Sequence, residues 1–129
     1  MTKQTASSGT LFPVLLDLGR KHVLVIGEGD ALTQPILSLL PCAGALYAAD
    51  LSGKKDLFSD TLRQLSGEGR LTLFSDGYKR EMLYGMDIVI SLSDDWPLND
   101  ELFASCRTLG IRIAVLSQPG RSDFSPAAF

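Results

Sequence analysis

Two glycines and a spaced set of carboxylates carry most of the chemical information in this sequence. Gly27-Glu28-Gly29-Asp30 follows the apolar run His22–Ile26. A Gly-x-Gly turn leaving a strand lets the chain reverse tightly and lets a pyrophosphate approach backbone N–H groups at a helix start. Alone it is a weak signal. Asp50 stands 23 residues after Gly27, at the end of a second apolar run, where a carboxylate can accept hydrogen bonds from an adenosine ribose and disfavour a 2′-phosphate. Together they point to a dinucleotide such as NAD; the competing reading is a glycine turn and a strand-terminal aspartate that only cap the fold. Ser93-Asp94-Asp95 before a third helical stretch offers hydroxyl and carboxylate groups to the same region, or an exposed helix cap favoured by the macrodipole.

Composition narrows the alternatives. The chain has 129 residues, 45% apolar and 21% charged, which suits one domain with a real core and excludes a disulfide-stapled mini-protein or a disordered chain. Its net charge of −3 disfavours nucleic-acid binding. No apolar stretch is long enough to span a membrane, and the polar start Met1–Thr10 lacks the order of a signal peptide, so a cytoplasmic protein is expected. Cys42 and Cys106 show no metal spacing and are expected as buried reduced thiols, and His22 as a structural residue. No metal site is expected.

The elements that must position these groups alternate along the chain. Strands are expected at His22–Ile26, Gly44–Ala49, Leu71–Phe74, Asp87–Leu92 and Arg112–Leu116. Helices are expected within Ala31–Leu40, over Lys55–Leu65 and over Pro97–Leu109, with a short helical turn at Lys79–Leu83. The third helix is the best marked: Asp95 or Trp96 begins it, Pro97 suits its first turn and Gly110 stops it. In it Leu98, Leu102, Phe103, Cys106 and Leu109 share one stripe. This order predicts a Rossmann-like α/β domain of three layers, a doubly wound parallel sheet in the order 3-2-1-4-5, with 1–10 flexible and 118–129 a tail. In such a sheet the ligand crevice lies at the carboxyl ends of the strands, near Gly27–Asp30, Asp50–Gly53, Ser91–Asp95 and Ser117–Ser122.

Four segments in sequence order carry a more specific resemblance. They are Phe12–Leu18 before the first strand, Val25-Ile26-Gly27-Glu28-Gly29-Asp30, Ile90-Ser91-Leu92-Ser93-Asp94-Asp95 followed by Leu98-Asn99, and Asp123-Phe124-Ser125-Pro126-Ala127. This set resembles the siroheme synthase amino-terminal domain family, the precorrin-2 dehydrogenases and sirohydrochlorin ferrochelatases, from about Leu11 to Phe129. The resemblance implies NAD-dependent oxidation of precorrin-2 to sirohydrochlorin in siroheme biosynthesis. It implies that Gly27, Glu28, Gly29, Asp30 and Ala31 bound the pyrophosphate, that Asp50, Leu51 and Ser52 flank the adenosine, and that Ser93 and Asp94 lie beside the nicotinamide half.

Departures from the family pattern bear on activity. The family's candidate acid/base and chelatase carboxylate after the fifth strand is Ser117 here, and a serine exchanges protons poorly near neutral pH and binds metals weakly, which argues against ferrochelatase activity. Asp123, six residues on, is a candidate substitute. Glu28 replaces a glycine of the phosphate turn; carboxylates about 5–8 Å from a pyrophosphate cost on the order of 1 kcal/mol, about fivefold in affinity. Gln34-Pro35 replaces an Arg-Lys pair, so the first helix is expected to be kinked or to start late, with Thr33 as its cap. Arg121, Lys54 and Lys55 are the basic residues near the crevice that a polycarboxylate substrate could use. Relatives continue beyond this segment into a dimer-forming, tetrapyrrole-covering part, so a homodimer or a partner subunit is expected. The alternative is a non-catalytic, degenerate domain of the same family that serves nucleotide sensing or protein interaction.

Overall fold

The order of apolar runs folds into one parallel sheet. A computed structural model describes residues 11–52 and 58–126. Strands β1 (His22–Gly27), β2 (Ala45–Asp50), β3 (Thr72–Phe74), β4 (Ile88–Ser91) and β5 (Arg112–Val115) lie in the order β3-β2-β1-β4-β5, all neighbours parallel. This is the Rossmann-like order expected. The strand register brings Gly27 level with Asp50, Ile26 with Ser91, and Ser91 with Val115, so the carboxyl ends of β2, β1, β4 and β5 finish in one row.

Both faces of the sheet are covered, which is why its strands read as nearly continuous apolar runs. Val23 and Val25 point to one face, where they meet Leu32, Ile36 and Leu39 from α1 and its approach and Leu62 and Leu65 from α2. Leu24 and Ile26 point to the other, against Leu83, Leu102 and Cys106. The first layer is α1 (Thr33–Leu39) and α2 (Asp60–Gly67); the second is α3 (Trp96–Leu109) with the 3₁₀ turn Arg80–Leu83. In α3 the expected stripe faces inward, with Leu102 and Cys106 fully buried and Leu98, Phe103 and Leu109 packed partly against them.

Element starts differ from expectation where capping is subtle. Lys54, Lys55 and Leu57 lie outside the described residues, as do 1–10; α2 begins at Asp60, set by Ser59, whose hydroxyl accepts from the Leu62 N–H at 3.3 Å. The first helix does start late. A 3₁₀ turn over Gly29–Leu32 comes first, and α1 follows with the buried Pro35 as its third residue, where a missing N–H costs no intrahelical bond. Thr33 is not its cap, however. Leu32 holds that position without a side-chain bond, and the Thr33 hydroxyl lies 3.0 Å from that of Ser59, tying the starts of α1 and α2 together.

Two further expectations are corrected. Cys42 is exposed, because it follows Pro41 after α1 has ended; only Cys106 is buried, and burial pushes its thiol up to about 12, with the Asp123 carboxylate adding to the effect. The segment after β5 is not a loose tail as far as it is described. Ser122 and Asp123 bond along β5, and Phe124 packs on the core.

Candidate functional site

A cavity of about 570 Å³ opens at the carboxyl ends of the strands, within the usual size range of small-molecule sites. Its lining comes from three of the four segments expected there, Glu28 and Ala31 at the β1 turn, Leu51 after β2, and Leu92–Asp95 with Leu98 after β4, together with Gly77 and Tyr78 after β3; the expected Ser117–Ser122 segment lines a separate hollow with Trp96 instead. Among the described residues three of the linings are carboxylates, Glu28, Asp94 and Asp95, and none is basic.

The β1 turn is shaped for close approach. A Cβ at Gly27 would sit 3.1 Å from Leu92 Cδ1 and 3.2 Å from Leu32 Cδ2, so any larger residue would have to push those two side chains back by a few tenths of an ångström. Gly29 has φ +50°, a left-handed conformation that suits glycine. Its N–H, the expected phosphate donor, already donates to Asp50 Oδ1 at 3.3 Å. Asp50 is fully buried and also accepts from the Ser52 N–H at 3.1 Å and the Ser52 hydroxyl at 2.6 Å. The aspartate therefore stands at the expected point of the fold but locks the ends of β1 and β2 to each other. Leu51 is held beside it, its N–H donating to the Gly27 carbonyl at 2.8 Å. Asp30 is exposed in the first turn of the 3₁₀ segment.

On the other side of the cavity a buried amide organises the loops. Asn99, with no exposed surface, accepts from the Ser91 hydroxyl at 2.8 Å and donates through Nδ2 to the Ser93 carbonyl and to Gln118 Oε1, both at 2.9 Å. The Ser93 hydroxyl accepts from the Asp95 N–H at 3.0 Å, and Asp95 caps α3 by accepting from the Leu98 N–H at 3.2 Å. Asp94 is left exposed on the cavity wall.

Ser117 and Asp123 part company. The Ser117 hydroxyl donates to the Ser93 carbonyl at 3.0 Å, which keeps it next to the crevice. Asp123 is not brought there. Its Oδ2 accepts from the Ile113 N–H in mid β5 at 2.9 Å and its Oδ1 is paired with Arg107, beside a second hollow formed with Gly110 and Ile111. Arg121 is likewise committed, its Nε 3.0 Å from Asp100 Oδ1 and its guanidinium over the Phe103 ring.

Sequence reasoning gave no role to Tyr78, Gln118 or Asn99. Tyr78 follows β3, so the doubly wound order alone places it at the crevice; its ring lines the wall, and burial, helped by Glu101, pushes its hydroxyl up to about 12. That hydroxyl is buried without a hydrogen-bond partner. Asn99 was visible as part of the Leu98-Asn99 pair, but its partner Gln118 is 19 positions away and no spacing rule announces it.

A sequence family described as "Putative NAD(P)-binding" matches residues 14–128. The chain belongs to this family. The siroheme synthase of Psychrobacter sp. (strain PRwf-1) is 32% identical over 113 residues, covering 88% of this chain and 22% of the relative. Siroheme synthase 1 of Serratia proteamaculans (strain 568) is 29% identical over 112 residues, 87% of this chain and 22% of the relative. The resemblance to the siroheme synthase amino-terminal domain holds along nearly the whole chain, which spans about a quarter of these relatives' length or less. Among solved structures, SirC, a precorrin-2 dehydrogenase, superposes with a TM-score of 0.58 at 22% identity over 70% of this chain and 43% of its own, a likeness of fold. No helix among the described residues is long and apolar enough to cross a membrane.

Proposed function

We propose that this chain is a precorrin-2 dehydrogenase-like domain of siroheme biosynthesis that binds NAD in the crevice. The observation that carries this reading is the match of nearly the whole chain to siroheme synthases, with the matched turns gathered around one cavity. The cavity's volume and the close-approach glycine fit a dinucleotide; the carboxylate of Glu28 weakens its hold on the pyrophosphate without blocking the space. The family membership supports a nicotinamide dinucleotide; the negative charge of Asp50, buried behind Leu51 with its oxygens engaged by Gly29 and Ser52, favours the form without a 2′-phosphate by repulsion rather than by a bond to the ribose. A cytoplasmic location and a homodimer or partner subunit covering the tetrapyrrole belong to the same proposal.

A nicotinamide cofactor held between the β1 turn and the Ser93–Asp95 loop would supply the hydride acceptor for oxidation of the tetrapyrrole. The protein's contribution is placement: Asn99 fixes the Ser93 carbonyl, Ser93 and Asp95 fix the start of α3, and Asp94 is left exposed on the wall after β4, the side on which this reading puts the nicotinamide. The carboxylate in position to receive the accompanying proton is thus Asp94 rather than Asp123, which Arg107 holds on the far side of β5.

A specific observation supports a second reading, a binding domain without turnover: where the resemblance implies an acid, Ser117 offers a hydroxyl already donated to a carbonyl. An anaerobic assay of precorrin-2 with NAD+ separates the two. Sirohydrochlorin formation by the unmodified chain is expected from the dehydrogenase reading. Cofactor binding without product favours the second, and a gain of turnover in Ser117→Asp would name the missing carboxylate. No product and no cofactor binding would overturn both.

A further inference from the structure

Every charged residue lining the cavity is acidic among the described residues, and the acids are unequally placed. Glu28 sits on the β1 turn, where the pyrophosphate belongs, whereas Asp94 and Asp95 sit after β4, on the half of a doubly wound fold that takes the nicotinamide. Asp94 is exposed on the wall, and the Asp95 carboxylate is turned to the Leu98 N–H. The two redox forms of the cofactor share the same pyrophosphate and adenosine. They differ at the ring, which is cationic in NAD+ and neutral in NADH. Repulsion between Glu28 and the pyrophosphate is therefore common to both forms and cancels in their ratio, while attraction between Asp94 and the ring acts on one form only.

Resting on the cofactor reading above, we propose that this crevice selects the oxidised cofactor: it binds NAD+ in preference to NADH, and Asp94 is the residue that sets the preference. One carboxylate facing a ring cation across a partly solvated gap gives about fivefold. The thermodynamic cycle adds a consequence. Whatever factor favours NAD+ in binding disfavours reduction of the bound cofactor by the same factor, so a domain built this way retains its oxidised ligand and releases the reduced one.

The test is calorimetric titration of the full chain with NAD+ and with NADH at low salt. NAD+ is expected to bind about fivefold tighter. Asp94→Asn should bring the ratio close to one, and a salt concentration of ~0.5 M should compress it, since the pair is exposed. Glu28→Gln should tighten both forms by a similar factor and leave the ratio as it was. Equal or tighter binding of NADH, or a ratio that Asp94→Asn leaves unchanged, would overturn the proposal while sparing the cofactor reading; failure of both forms to bind would overturn both.

Discussion

The two halves of the crevice solve the same geometric problem in opposite ways. On the β1–β2 side a charged group, Asp50, is spent inward: it is fully buried and holds the Gly29 N–H and both donors of Ser52, so the turn meant for a ligand is braced by the protein itself. On the β4–β5 side a neutral group, Asn99, does the bracing with its own amide, and the carboxylate of Asp94 remains at the surface. A buried amide can donate and accept at once, whereas a carboxylate only accepts. The first half therefore consumes a backbone donor that a phosphate could use, and the second leaves its charge for a ligand.

The sharpest way to break this comparison is at Asn99. Asn99→Ala removes three hydrogen bonds and strands the buried Gln118 amide and Ser91 hydroxyl, so stability should fall by about 3 kcal/mol, read as a lower urea midpoint at constant slope. An unchanged midpoint would show that the β4–β5 loops hold themselves. Asp50→Ala should cost less, about 1–2 kcal/mol, because its bond to the Gly29 N–H is long at 3.3 Å and the half-buried Ser52 can turn its donors to water. The same variant should narrow any preference for NAD+ over its 2′-phosphorylated form, measured by competition binding.

The smallest effect concerns Tyr78 on the wall the halves share. Its hydroxyl is buried without a partner, so Tyr78→Phe should leave stability within ~0.5 kcal/mol of the parent or raise it. Tyr78 and Cys106 both ionise near 12 in the folded chain but at their ordinary values, 10.0 and 9.0, once unfolded. The unfolded chain thus loses those protons first as pH rises, and stability should fall between about pH 9 and 12, less steeply in Tyr78→Phe. A flat profile across that window would place both groups in water.

The layout of the crevice was legible because the strands are buried on both faces and punctuated by glycine and proline; period and punctuation suffice for the order of the sheet. The Asp95 cap and the Gly110 stop of α3 were legible for the same local reason. What the sequence hid is long-range. That Gly29 spends its N–H on Asp50, that Asn99 meets Gln118 and that Arg107 captures Asp123 depend on side chains brought together only by folding. Cys42 misled because its neighbours are apolar, although the helix carrying them ends at Leu39.

The central claim, that one crevice with two unlike halves holds the cofactor, is tested most directly by amide chemical-shift mapping during an NAD+ titration. The account expects saturable shifts at Glu28–Ala31, Leu51, Gly77–Tyr78 and Ser93–Asp95, with the outer face of α2 unmoved. No shifts up to millimolar NAD+, or shifts confined to residues away from that cavity, would contradict it.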